Sequence, residues 1–232
     1  MSFARLRLVS QASVGHPEWF VIILGLACWA TTVWHASSLW GHALHHRGGP
    51  LGELVAWHVM VLAMMLPVIW KACRALAIQI DRDPARWLGI ASFVVGYLGP
   101  WSVVGVLAVA IRFYEWIPPQ VAATGTCAIA TAWAIPWFHG GFPNELPDTS
   151  RFTTRTATCA PLGEGALLGS GFGLRCVLNC WPLMLACALS GHDLVAVMSG
   201  GAAGVVQAER GERSRWMTAG ISTALTAYFA SR

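Results

Sequence analysis

Long unbroken apolar runs, and not a repeating alternation of apolar and polar positions, set the pattern of this chain. A run of roughly 20 mostly apolar residues is enough to cross the hydrocarbon core of a bilayer as a helix. Five runs meet that length readily, at 19–39, 54–76, 87–111, 120–139 and 165–190. Two weaker runs rich in small residues follow at 192–208 and 215–231. The pattern predicts an all-α fold, a polytopic transmembrane helix bundle of seven spans, with six as the alternative. A cytoplasmic segment, 1–18, precedes a single transmembrane domain over 19–232. Gly200, Gly201 and Gly204 would let another helix approach closely. Gly169-Ser-Gly-Phe-Gly173 lies inside an apolar run and is not followed by Lys-Ser/Thr, so it reads as helix packing and not as a phosphate loop. The longest connection, about 140–163, holds Pro143, Pro147 and Pro161, and Asp81-Arg-Asp-Pro84 is a tight polar turn.

Composition agrees with a membrane chain. Of 232 residues, 56% are hydrophobic and 11% charged, against about 25% charged in a soluble domain. Mean hydropathy is +0.56. The 13 tryptophans suit the belts that form where bilayer meets water. A formal charge of +4, scattered along the chain, argues against nucleic acid as a partner and leaves the lipid bilayer as the first one. The seven cysteines are odd in number and mostly lie within apolar runs, so a secreted-type disulfide framework is not expected. Cys28 and Cys127 read as small hydrophobes. No cleavable leader is evident after Arg5 and Arg7, so the first run is read as an attached span.

Charge sets an expected orientation. With the N-terminus in the cytoplasm, Arg5, Arg7, Lys71, Arg74, Arg82, Arg86, Arg151, Arg155, Arg210, Arg213 and Arg215 are cytoplasmic. Only Arg47, Arg112 and Arg232 fall outside, and Arg175 lies within a span. This is the asymmetry of the positive-inside rule, and the expected location is the cell (inner) membrane. The same orientation gathers His35, His42, His45, His46, His58 and His192 at or near the outer surface.

The chemistry lies in sulfur and imidazole placed inside apolar runs. In Trp57-His-Val-Met-Val-Leu-Ala-Met-Met-Leu-Pro67, Met60 and Met64 are four apart and share a helical face. His58 and Met65, seven apart, form an adjacent stripe. Pro67 cannot donate to the Ala63 carbonyl, which predicts a kink and a free carbonyl beside the thioethers. In the fifth run Cys176, Cys180, Met184 and Cys187 follow steps of four, four and three, along one face. Thiolate and thioether are the soft ligands that select monovalent copper. Arg175 beside this stripe is a candidate functional residue, since arginine within a span is costly. Outside, Trp40-Gly-His-Ala-Leu-His-His-Arg-Gly-Gly-Pro50 supplies His42, His45 and His46, a histidine-rich tract of the kind that binds metal. Asp193 is placed to cap the sixth helix. The metal candidates are therefore His58, Met60, Met64, Met65, Cys176, Cys180 and Met184, with His42, His45 and His46 outside. No pattern for catalysis stands out, and an enzyme is not expected.

These two helices resemble a known family, the predicted metal-binding integral membrane proteins. Its hallmarks are a Trp-x2-Met-x2-Ala-Met-Met-x-Pro helix and a late Gly-x-x-Cys-x-x-Cys-Cys-Trp-x-Leu-Met helix. Here they read Trp57, Met60, Ala63, Met64, Met65 and Pro67, then Gly173, Cys176, Cys180, Trp181, Leu183 and Met184. The likeness runs from about residue 50 to 213. It departs at Asn179, where the family usually has the first of two adjacent cysteines, and at Pro182, which replaces a small residue. The resemblance implies metal binding and, for some members, supply of copper to copper enzymes. The function expected is binding of copper, as Cu+, and its delivery to an extracytoplasmic copper-dependent oxidase or oxygenase. A metal-free accessory subunit of a membrane complex is the alternative, and a metal transporter the third choice.

Overall fold

The structure, a computed structural model, describes residues 18–37, 49–79, 83–113, 118–134, 161–210 and 215–231. Among them the chain is all-α, with no strand. The helices are α1 (Glu18–Ser37), α2 (Gly49–Gln79), α3 (Asp83–Phe113), α4 (Pro119–Ala134), α5 (Pro161–Leu189), α6 (Leu194–Arg210) and α7 (Arg215–Ala230). Each apolar run of the sequence overlaps one of them, and α2, α3 and α5 begin before their runs do. Three of the described helices are long and apolar enough to cross a membrane: Gly49–Ala77, Arg86–Arg112 and Leu162–Leu189. Two shorter apolar helices cover Trp19–His35 and Leu194–Val206. At 1.5 Å per residue, the 16 residues of α4 and of α7 reach roughly 24 Å, short of a hydrocarbon core of about 30 Å. The expected seven spans therefore go beyond what the described helix lengths support. α2, α3 and α5 all continue through an internal proline, Pro67, Pro100 and Pro182 respectively.

α3 and α5 form the closest pair, and glycine is the reason. Gly165, Gly169 and Gly173 recur every four residues along α5. A Cβ at Gly169 would overlap the Phe93 carbonyl, and one at Gly173 the Tyr97 carbonyl. One at Gly165 would strike Ser92 and the Gly89 carbonyl. On the other side, a Cβ at Gly96 would strike the Ala166 carbonyl. Small residues at this spacing let backbones touch, as the glycine-rich stretch predicted. The register is parallel: Gly89 meets Gly165, Tyr97 meets Gly173, and Arg112 donates to the Ala188 carbonyl at 3.1 Å, 76 residues away. That register carries the middle of α3 to the middle of α5.

α2 packs between α1, α3 and α6. Trp57, fully buried, donates from Nε1 to the Trp101 carbonyl at 2.9 Å and rests on Gly105. Gly200 and Gly204 of α6 receive the methionines of α2. α4 reaches α5 through Trp133, whose Nε1 donates to the Leu178 carbonyl at 2.9 Å. α5 ends in a Schellman turn: Gly191, at φ 77°, donates to Ala188, and His192 donates to the Cys187 carbonyl. Asp193 then caps α6, accepting from Val195 and Ala196 at 2.9 and 3.2 Å, as expected. The outward faces stay apolar, with Ile23, Leu26, Val95, Val103 and Leu167 exposed.

Candidate metal centre

The parallel register and the glycine contacts converge on the middle of the bundle, where the sulfur-bearing residues lie. On α2, Met60, Met64 and Met65 are all buried to 2% exposure or less. On α5, Met184 is fully buried, and Cys176 and Cys180 are half-buried. The Cys176 thiol donates to the Met65 thioether at 3.5 Å, across 111 residues of sequence. Cys180, one turn on, brings its thiol into hydrogen-bonding contact with Cys176. Cys176 also accepts a hydrogen bond from the hydroxyl of Tyr97, on α3, at 3.1 Å.

Beside this group is a cavity of about 20 Å³, large enough for one small species. Met65, Asn179, Cys180, Met184, Gly200 and Gly204 line it, with no charged side chain on its wall. Two of its wall residues are glycines, and a Cβ at Gly200 would come within 2.7 Å of the Met64 methyl and 3.4 Å of the Cys187 sulfur. The donors at the wall are the amide of Asn179, the hydroxyl of Thr218, the Cys180 thiol and the thioethers of Met65 and Met184. Soft donors of this kind suit copper(I) and discriminate against hard cations. No disulfide ties up the cysteines among the described residues. Nor, among those residues, do three His, Cys, Asp or Glu side chains converge. The further soft donors beside the two cysteines are the thioethers of Met65 and Met184.

The other candidates fall in different places. His58 is on α2, but its Nδ1 is 2.7 Å from the Leu54 carbonyl and its Nε2 2.8 Å from the Ser102 hydroxyl. Both ring nitrogens are thus engaged by protein in this arrangement. Met60 is buried on the same face as Met64. Arg175 is exposed on the outside of α5, so its side chain does not share the interior with the sulfurs. His42, His45 and His46 lie outside the described residues. Sequence reasoning did not single out Tyr97. The available signal was a phenol inside an apolar run, since a buried tyrosine hydroxyl needs a partner.

Residues 54–139 match the family model of PpoB2, described as a copper chaperone. The matched segment holds α2 beyond its first turn, α3 and α4, and with them Met60, Met64, Met65 and Tyr97. Cys176, Cys180 and Met184 lie beyond it. The candidate centre is thus shared between the matched segment and α5. No curated protein matches the chain, and no solved structure does.

Proposed function

We propose that this chain is an integral membrane carrier of copper(I), without a catalytic step, that holds the ion among sulfurs of α2 and α5. From there it hands the ion to a copper-dependent oxidase or oxygenase outside the cytoplasm. The observation that carries the reading is the approach of Cys176 to Met65 beside a sulfur-lined cavity of about 20 Å³. The similarity of residues 54–139 to a copper chaperone family supports copper as the ion. Met65, Cys176, Cys180 and Met184 are the proposed ligands, with Met64 and Met60 continuing the thioether row on α2. One thiolate bound to Cu+ leaves no net charge, which eases the cost of placing an ion away from water. Thioethers complete the shell without adding charge. Such a mixed shell suits a carrier, because methionine adapts its geometry readily.

The apolar outward faces and the three long helices support a bilayer setting. In it the N-terminus is cytoplasmic, and His42, His45 and His46 collect or present the ion outside. His58, near the same end of α2, contributes to the route when it leaves Ser102. The test is titration of the detergent-purified protein with copper(I) under reducing conditions, followed by transfer to an acceptor apo-cuproenzyme. One equivalent bound, and lost when Cys176 and Cys180 are both changed to serine, is the expected result. Unchanged copper content in that double variant would remove the core site. A metal-free structural role is the second reading. It is favoured by Cys28, Cys73 and Cys127, which are buried away from the cavity wall and serve as packing groups.

A further inference from the structure

We propose that Tyr97 is the positioning residue of the sulfur site, its hydroxyl fixing Cys176, and not Cys180, as the anchoring ligand. The proposal rests on the reading of this centre as a copper(I) site. Tyr97 is 1% exposed, so its hydroxyl cannot turn to solvent. Its hydrogen bond runs to the Cys176 sulfur at 3.1 Å. The sulfur of a neutral thiol is a weak acceptor. On loading, Cys176 gives its proton to the buffer and binds the ion as a thiolate, and hydrogen bonds to charged acceptors are about twice as strong as neutral ones. The contact therefore strengthens on loading and favours the loaded centre.

The backbone holds the phenol in place. The Tyr97 carbonyl rests against Gly173, three residues before Cys176, where any side chain would drive α3 and α5 apart. Cys176 in turn points its thiol at Met65. The sequence of contacts is thus Tyr97 hydroxyl, Cys176 sulfur, Met65 sulfur, from three helices. Cys180 touches Cys176 but lies on the cavity wall beside Asn179 and Met184. Outer-shell partners of metal ligands commonly carry ten- to hundred-fold in affinity.

The test compares the full-length parent with Tyr97→Phe by competition with a copper(I) chelator in detergent. The expected result is roughly ten- to hundred-fold weaker binding, an effect absent when Cys176 is already serine. In the metal-free protein, the infrared S–H band assigned to Cys176 by difference against Cys176→Ser shifts in Tyr97→Phe. Parent-like affinity in Tyr97→Phe, or the same loss in the Cys176→Ser background, overturns the positioning role while leaving the copper reading intact. A parent that takes up no copper(I) overturns both. If Tyr97→Phe does not fold, Cys176→Ser must weaken binding more than Cys180→Ser does, and equal losses overturn the proposal.

Discussion

Cys176 on α5 and Met65 on α2 bring their sulfur atoms to 3.5 Å across 111 residues of sequence. The approach depends on two backbone features. Glycines on α5 let α3 come into contact, and glycines on α6 make room for the side chains of α2. Helix packing and ligand geometry are therefore one problem in this fold.

Met65→Leu separates sulfur from shape. The swap conserves volume, and such swaps cost less than about 1.5 kcal/mol. The expected outcome is a fold of nearly parental stability with weakened copper(I) binding. Chelator competition measures the second quantity, and denaturant titration in detergent the first.

Gly169→Val tests the α3–α5 contact. Its side chain would overlap the Phe93 carbonyl, and backbone cannot rotate aside as a side chain can. The destabilisation belongs at the upper end of the roughly 1–3 kcal/mol of overpacked cores, or beyond it. Gly171→Val, on the opposite face of the helix with nothing within 4 Å, is the matched control and should leave the unfolding midpoint near the parent's.

Gly200→Leu addresses the cavity. The new side chain meets Met64 and Cys187 and occupies the space beside Met65 and Met184. Copper content is expected to fall sharply, with a stability loss of about 1–3 kcal/mol from overpacking. Gly220→Leu points into open space and should change neither. Metal content and thermal unfolding of the two variants, measured side by side, decide the point.

Asp193→Ala removes the cap of α6 and the acceptor of Tyr228, whose hydroxyl donates to it at 3.3 Å. Loss of such a cap typically costs about 1 kcal/mol. Asp193→Asn keeps the acceptor oxygen and should recover most of it. Because the cap is remote from Cys176, copper affinity is expected to stay at the parental value in both variants.

Helices were the most legible part of the sequence. Apolar runs long enough to be spans are also long enough to be helices, so the positions of α2, α3 and α5 follow from hydropathy alone. Close packing was legible too, because Gly169 and Gly173 fall at the spacing that places them on one face. Spacing likewise put Cys176, Cys180 and Met184 on one face of α5. It could not say which helix that face meets. Tyr97 escaped notice because a contact 79 residues away is set by the register of α3 against α5, which no local pattern encodes. The same holds for His58, whose engagement with Ser102 depends on how α2 lies on α3. Arg175 shows the opposite case. It is adjacent to Cys176 in sequence, but one residue rotates a helix by about 100°, and its side chain emerges outside.

X-ray absorption at the copper edge, on the purified protein loaded with one equivalent of copper(I), tests the central claim most directly. The account predicts a first shell made of sulfur, reduced in number by Met65→Leu and abolished by the Cys176→Ser, Cys180→Ser pair. A shell of nitrogen and oxygen alone, or one indifferent to all three substitutions, would contradict it.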